Sequence, residues 1–211
     1  MKFNIITPLN RYENFDQLTN HLEPKNIKWH VITDSDSTNT FKVTKDWINH
    51  YICPNEGNIF WVRCNNSINW YIEKHELNDN EYYGILNDDD GYEDLFFEKL
   101  TRSIELIDES NGFSDLVICS MMRGHKTPID VEPVRRHPTN TLIANPESMF
   151  VGGVGIEQFF VKGKILKNHK LPLTQCGDGE LITQLVRSYG ASYVPDTHVW
   201  FNYFEPGRWY K

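Results

Sequence analysis

Three consecutive carboxylates, Asp88, Asp89 and Asp90, stand between the apolar run Tyr82 to Leu86 and Gly91. Side by side at the end of a buried strand, they repel one another unless water, hydrogen bonds or a cation compensates. Carboxylate oxygens in this number suit Mg²⁺ or Mn²⁺, hard ions that keep open positions for the oxygens of a bound diphosphate. The same residues also make an ordinary solvated turn, because Asp, Asn and Gly favour turns and Asp complements the dipole of a helix that follows. A calcium loop of the EF-hand kind does not fit. Placing Gly91 sixth puts Leu86 first and Phe97 twelfth, where carboxylates are required.

Holding such a turn in place requires a strand before it and a helix after it. Tyr82 to Leu86 predicts the strand, and Tyr92, Leu95, Phe96, Leu100, Ile104 and Ile107 recur at helical spacing after Gly91. Upstream, Phe3 to Thr7 reads as a strand ending at Pro8, followed by Phe15, Leu18 and Leu22 on one helical face. Trp29 to Thr33 and Phe60 to Cys64 read as further strands, and Asn69 to His75 as a helix. Asp115 to Met122 and Thr141 to Ala144 are the next strands. Leu181, Ile182, Leu185, Val186 and Tyr189 then define an amphipathic helix closed by Gly190, ahead of a strand at Ser192 to Val194. This alternation predicts an α/β fold with a mixed, mostly parallel sheet flanked by helices. With 211 residues, no repeat and no long linker, a single domain over residues 1–211 is expected.

Composition narrows the function classes. The chain is 39% hydrophobic and 24% charged, within the range of ordinary globular proteins. Its formal net charge of -8 makes nucleic acid an unlikely partner. No stretch reaches the ~18 continuous apolar residues of a membrane span, and the polar start MKFNIITPLNRYENF is unlike a signal peptide, so a soluble, cytoplasmic protein is expected. Cys53, Cys64, Cys119 and Cys176 are too dispersed for a zinc or redox motif and read as reduced thiols.

The segment YYGILNDDDGYEDLFFEKL resembles the DxD region of glycosyltransferases of the GT-A fold, whose Rossmann-like sheet binds a nucleotide-sugar donor. FNIITPLNRYENFDQLTNHL resembles the opening strand, nucleotide loop and helix of the same family. The resemblance implies a metal-dependent transfer of sugar from a UDP-sugar to a carbohydrate or other hydroxyl acceptor, with inversion. Thr7, Pro8, Asn10, Arg11 and Tyr12 would wrap the nucleoside, and Asp34 and Asp36 would meet uracil or ribose, although loop aspartates are also plain turn formers. In VRCNNSINWYIEK the resemblance assigns Arg63 and Asn69 to the nucleotide. Asp88 and Asp89 would face donor and ribose, with Asp88 and Asp90 on Mn²⁺ or Mg²⁺.

GDGELITQLVRSYGASYVPD resembles the segment that supplies the catalytic base of inverting members, which makes Asp178 the base. Gly177 stands where the family places a glutamate, so Glu180 is a rival, and Asp178 is equally a helix cap. His198 is the candidate third metal ligand, or else a packed histidine among the aromatics of HVWFNYFEPGRWY. The glycines of MFVGGVGIEQFF would let backbone approach a sugar or simply make the loop flexible, and RGHKTPIDVEPVRRHP would supply a basic lid or plain solvated surface charge.

Two other functions fit parts of the sequence. A nucleotidyltransferase that makes nucleotide sugars also uses metal-binding carboxylates, but it needs a loop rich in glycine and bearing lysine, and TPLNRYENF contains neither. A non-catalytic carbohydrate-binding protein would use the many Trp and Tyr residues for stacking. Most such modules are β-sandwiches without the helical periodicity seen here.

Overall fold

The computed structural model describes residues 1–22, 26–34, 43–54, 59–123, 134–136 and 144–201. Nine strands form one sheet in the order β3-β2-β1-β4-β8-β6-β9-β5, with β7 paired to β6. Here β1 is Phe3–Pro8, β2 Ile27–Asp34, β3 Ile48–Cys53, β4 Tyr82–Ile85 and β5 Gly91–Tyr92; β6 is Leu116–Arg123, β7 Val134–Arg136, β8 Phe159–Lys162 and β9 Ser192–Phe201. The neighbours β3, β2, β1 and β4 run parallel, whereas β8 lies antiparallel to both β4 and β6. The expected α/β class with a mixed sheet is therefore present.

Side-chain alternation along the strands builds a core on each face of the sheet. Ile6, Ile118, Phe159 and Val161 pack against helices α2 (Phe60–Lys74) and α5 (Gly177–Tyr189). On the opposite face Phe3, Ile5, Val117 and Phe160 pack against α1 (Phe15–His21) and α3 (Phe96–Glu109). A short helix, α4 (Gly163–Leu166), follows β8. Strands buried on both faces read as apolar runs, which is why β1, β2, β4 and β6 are visible in the sequence. No helix among the described residues is long and apolar enough to cross a membrane.

Three sequence expectations are corrected. Phe60 to Cys64 is the first turn of α2 and not a strand. Its buried face is formed largely by Asn65, Ser67, Ile68 and Asn69, so the apolar pattern that marks a helix is interrupted by polar residues. The helix after the acidic turn begins at Phe96: Tyr92 belongs to β5, and Leu95 is exposed in a left-handed conformation with φ 61°. Ala144 lies outside any strand, and residues 141–143 fall outside the described residues. Most of the basic segment 123–138, Asp36 and the aromatic residues after Phe201 also fall outside them.

Buried on β2, His30 illustrates how the sheet is tied together. Its Nε2 lies 3.1 Å from the side-chain oxygen of Asn4, an acceptor, which assigns a proton to Nε2. Burial, helped by Lys28 and His75, depresses its pKa from 6.5 to about 3. Between those values the unfolded chain binds the extra proton, so the contribution of His30 is complete above pH 6.5 and is lost as the solution is acidified toward pH 3. Acidification from pH 7 to about pH 5 is expected to cost about 2 kcal/mol through this residue alone. Urea unfolding of wild type and His30→Gln at both values checks this. A shallower pH dependence in the variant is expected, and an identical one would contradict the assignment.

Candidate functional site

From β1 the chain steps outward to β2 and β3 on one side and returns to β4 on the other, so the order of connection reverses between β1 and β4. In open α/β sheets the carboxyl ends of strands at such a reversal leave a crevice that binds ligands. In this protein the loop after β1 and the acidic turn after β4 meet there. The backbone N–H groups of Asn10 and Arg11 donate to Asp88 Oδ2 at 2.6 and 2.7 Å. The guanidinium of Arg11 pairs with Asp88 Oδ1 and lies 3.3 Å from Asp89 Oδ2. Asn14 Nδ2 donates to the Asp88 carbonyl at 2.8 Å. Repulsion within the acidic turn is thus compensated by a cationic side chain and two amides reaching across from β1, with the Asp88 carboxylate itself almost wholly buried.

A cavity of about 190 Å³ opens beside this junction. Arg11, Asp88 and Asp89 from the junction line it together with Gln175 and Asp178 from the segment that leads into and opens α5. Between them runs one face of α2, presenting Phe60, Trp61, Cys64 and Asn65. Asn10 Nδ2 donates to the sulfur of Cys64 at 3.3 Å. Burial first, and the Asp88 carboxylate second, push the Cys64 thiol up to about 12, so it lines the cavity as a neutral group.

Asp178 reaches the cavity because glycines surround it. A Cβ on Gly177 would stand 2.0 Å from the Pro172 carbonyl oxygen and 2.7 Å from Asn65 Nδ2. One on Gly179 would stand 3.0 Å from the Gly152 nitrogen and 3.1 Å from Val151 Cγ1. No glutamate fits at residue 177, which explains the departure from the resembled motif. The first turn of α5 is wedged between two backbone segments, and of its side chains Asp178 lines the cavity. The N-cap position belongs to Cys176, so Asp178 is not the cap. Burial raises the pKa of Asp178, opposed by the amides of Gly179 and Asp178 itself. A carboxylate held this way is a stronger base than one in water.

The other expected residues are placed as follows. Pro8 lines the cavity. Thr7 is fully buried and accepts a hydrogen bond from Trp29 Nε1 at 2.9 Å. Tyr12 packs against the core on the α1 and α3 face. Asp34 pairs with Arg63 beyond the cavity lining. Asn69 is tied in both directions to Leu171, its Nδ2 donating to the carbonyl and its Oδ1 accepting from the N–H, each at 2.8 Å. Glu180 accepts from Thr174 Oγ1 at 2.7 Å, also away from the cavity.

Asp90 is fully buried and accepts from Asn87 Nδ2 at 3.0 Å. His198 follows an irregularity in which Cys119 pairs with Val194 and Ser120 with His198. Its backbone N–H donates to Glu93 Oε1 at 2.7 Å, and its Nδ1 lies 3.3 Å from the same oxygen. Among the described residues no set of three or more His, Cys, Asp or Glu is arranged to hold a metal ion, so Asp88, Asp90 and His198 are not assembled as ligands. Mg²⁺ commonly takes only one or two carboxylates and completes its shell with water and phosphate oxygens. Asp89, which lines the cavity, fits that role.

Phe60, Trp61, Cys64, Asn65 and Gln175 are cavity residues that sequence reasoning missed. Spacing of four between Phe60, Cys64 and Ile68 was the available signal, since it puts all three on one helical face. No family model matches the chain, and no curated protein matches it in sequence.

Proposed function

We propose that the chain is a glycosyltransferase of the GT-A type, taking a nucleotide-sugar donor, UDP-sugar foremost, and transferring the sugar with inversion to an acceptor hydroxyl. The observation that carries the reading is the cavity at the β1/β4 reversal, lined by a guanidinium, two carboxylates of the acidic turn and Asp178. The diphosphate belongs beside Arg11 and the acidic turn, where a divalent cation would add the positive charge that Arg11, already paired with Asp88 and Asp89, does not supply alone. A divalent cation held by Asp89 and the diphosphate would stabilise the negative charge that grows on the leaving phosphate oxygen. Asp178 takes the proton from the acceptor hydroxyl as its oxygen bonds to the anomeric carbon. The bond from that carbon to the diphosphate breaks, and the nucleotide leaves with the electron pair. Cys64, held neutral, does not compete as a nucleophile.

Release of nucleoside diphosphate from a panel of nucleotide sugars, with Mn²⁺ and mixed acceptors, tests the reading. Release from one nucleotide class above a protein-free control is expected. Silence across uridine, guanosine and cytidine donors would contradict it.

A further inference from the structure

The cavity-facing side of α2 divides the cavity in two. Phe60 and Cys64, one turn apart, face the loop after β1: the Arg11 guanidinium carbon lies 5.7 Å from the Phe60 ring centre, and Asn10 donates to Cys64. Trp61 and Asn65, also one turn apart, face the segment that leads into α5. Asn65 Nδ2 donates to the carbonyls of Pro172 at 2.9 Å and Thr174 at 3.1 Å. Residues four apart stack along one helical face, so Trp61 shares with Asn65 the side of α2 that is turned to the segment carrying Gln175 and Asp178. Trp61 lines the cavity and is 40% exposed as a residue, and among the described residues no ring or cation stacks on it.

We propose that this half of the cavity is the acceptor subsite and that the acceptor is a sugar, its ring laid against Trp61 with one hydroxyl directed to Asp178. The proposal rests on the transferase reading and adds the chemical class of the second substrate. A pyranose has an apolar C–H face and a rim of hydroxyls, so it needs a flat apolar wall and polar groups at the edge. Trp61 supplies the wall, while Gln175 and Asp178 supply the edge. A long-chain alcohol would instead need an apolar lining on all sides, and here Asn65, Gln175 and Asp178 interrupt the lining with polar groups. Placement of Trp61 on the Asn65 side also frees the indole from the nucleotide, whose diphosphate belongs to the Phe60 side.

Saturation-transfer NMR on methyl glucoside, methyl galactoside and methyl N-acetylglucosaminide, with uridine diphosphate and Mn²⁺ present, tests the proposal on wild type, Trp61→Phe and Trp61→Leu. Uridine diphosphate calorimetry and circular dichroism on the same preparations report the donor site and the fold. Saturation of the ring protons on one face of at least one glycoside is expected in the wild type. The glycoside Kd should rise about tenfold in the leucine variant, which loses the flat face, and by no more than about threefold in the phenylalanine variant, which keeps one. Equal glycoside binding in wild type and the leucine variant would overturn the proposal, as would binding of n-octanol in place of every glycoside. A wild type that binds glycoside but no nucleotide removes the transferase reading, and the acceptor assignment falls with it.

Discussion

Replacing Asp178 by asparagine is expected to lower sugar transfer by about 10²–10⁴-fold, the range associated with loss of a positioned base. The amide keeps the shape of the side chain but cannot accept the acceptor's proton. Because burial raises the Asp178 pKa, the acid limb of the rate profile should lie above the usual aspartate value and disappear in the variant. Stability responds in the opposite sense. A carboxyl whose folded pKa is raised binds its proton more tightly in the folded state, so its ionisation opposes folding once the pH exceeds the unfolded value. At neutral pH the asparagine variant should therefore be at least as stable as wild type while transferring far less. Steady-state rates beside thermal unfolding separate the two effects. Transfer within about tenfold of wild type would remove Asp178 from the chemistry.

Arg11→Ala is expected to destabilise the fold by about 3 kcal/mol, because it strips the cation from a buried carboxylate. The figure sits at the low end for a broken buried pair, since the amides of Asn10 and Arg11 still donate to Asp88. Adding Asp88→Asn should recover much of the loss, as a neutral carboxamide still accepts from those amides. Urea unfolding of the single and double variants measures both quantities. A single variant within about 0.5 kcal/mol of wild type would mean that the acidic turn needs no compensation from β1.

Much of the sheet was legible because its strands are buried on two faces. β3 was not, since its residues alternate between the core and exposure at the edge of the sheet and leave no apolar run. β8 lay hidden at the end of a stretch read for its glycines, although Phe159, Phe160 and Val161 are all buried. In the site, the acidic turn is visible from residue type alone, whereas the GDG segment stands out only through its resemblance to the base-bearing motif of inverting transferases. The pairing of Arg11 with Asp88 was not, because 77 residues separate them and only the β1/β4 adjacency brings them together. Asn69 and Arg63 were read as nucleotide contacts from their place in a motif. Their partners, Leu171 and Asp34, are set by tertiary packing that spacing does not encode. His198 depends on the shifted register of β9, which also has no signature in the sequence.

The central claim is that the β1/β4 cavity binds a nucleoside diphosphate beside Asp89. Calorimetric titration of uridine diphosphate with and without Mn²⁺, on wild type and on Asp89→Asn, tests it most directly. Saturable binding that Mn²⁺ strengthens is expected in the wild type, with that strengthening lost in the variant. No heat with uridine, guanosine or cytidine diphosphate under either condition would contradict it and leave NDDDG as a turn held in place by Arg11.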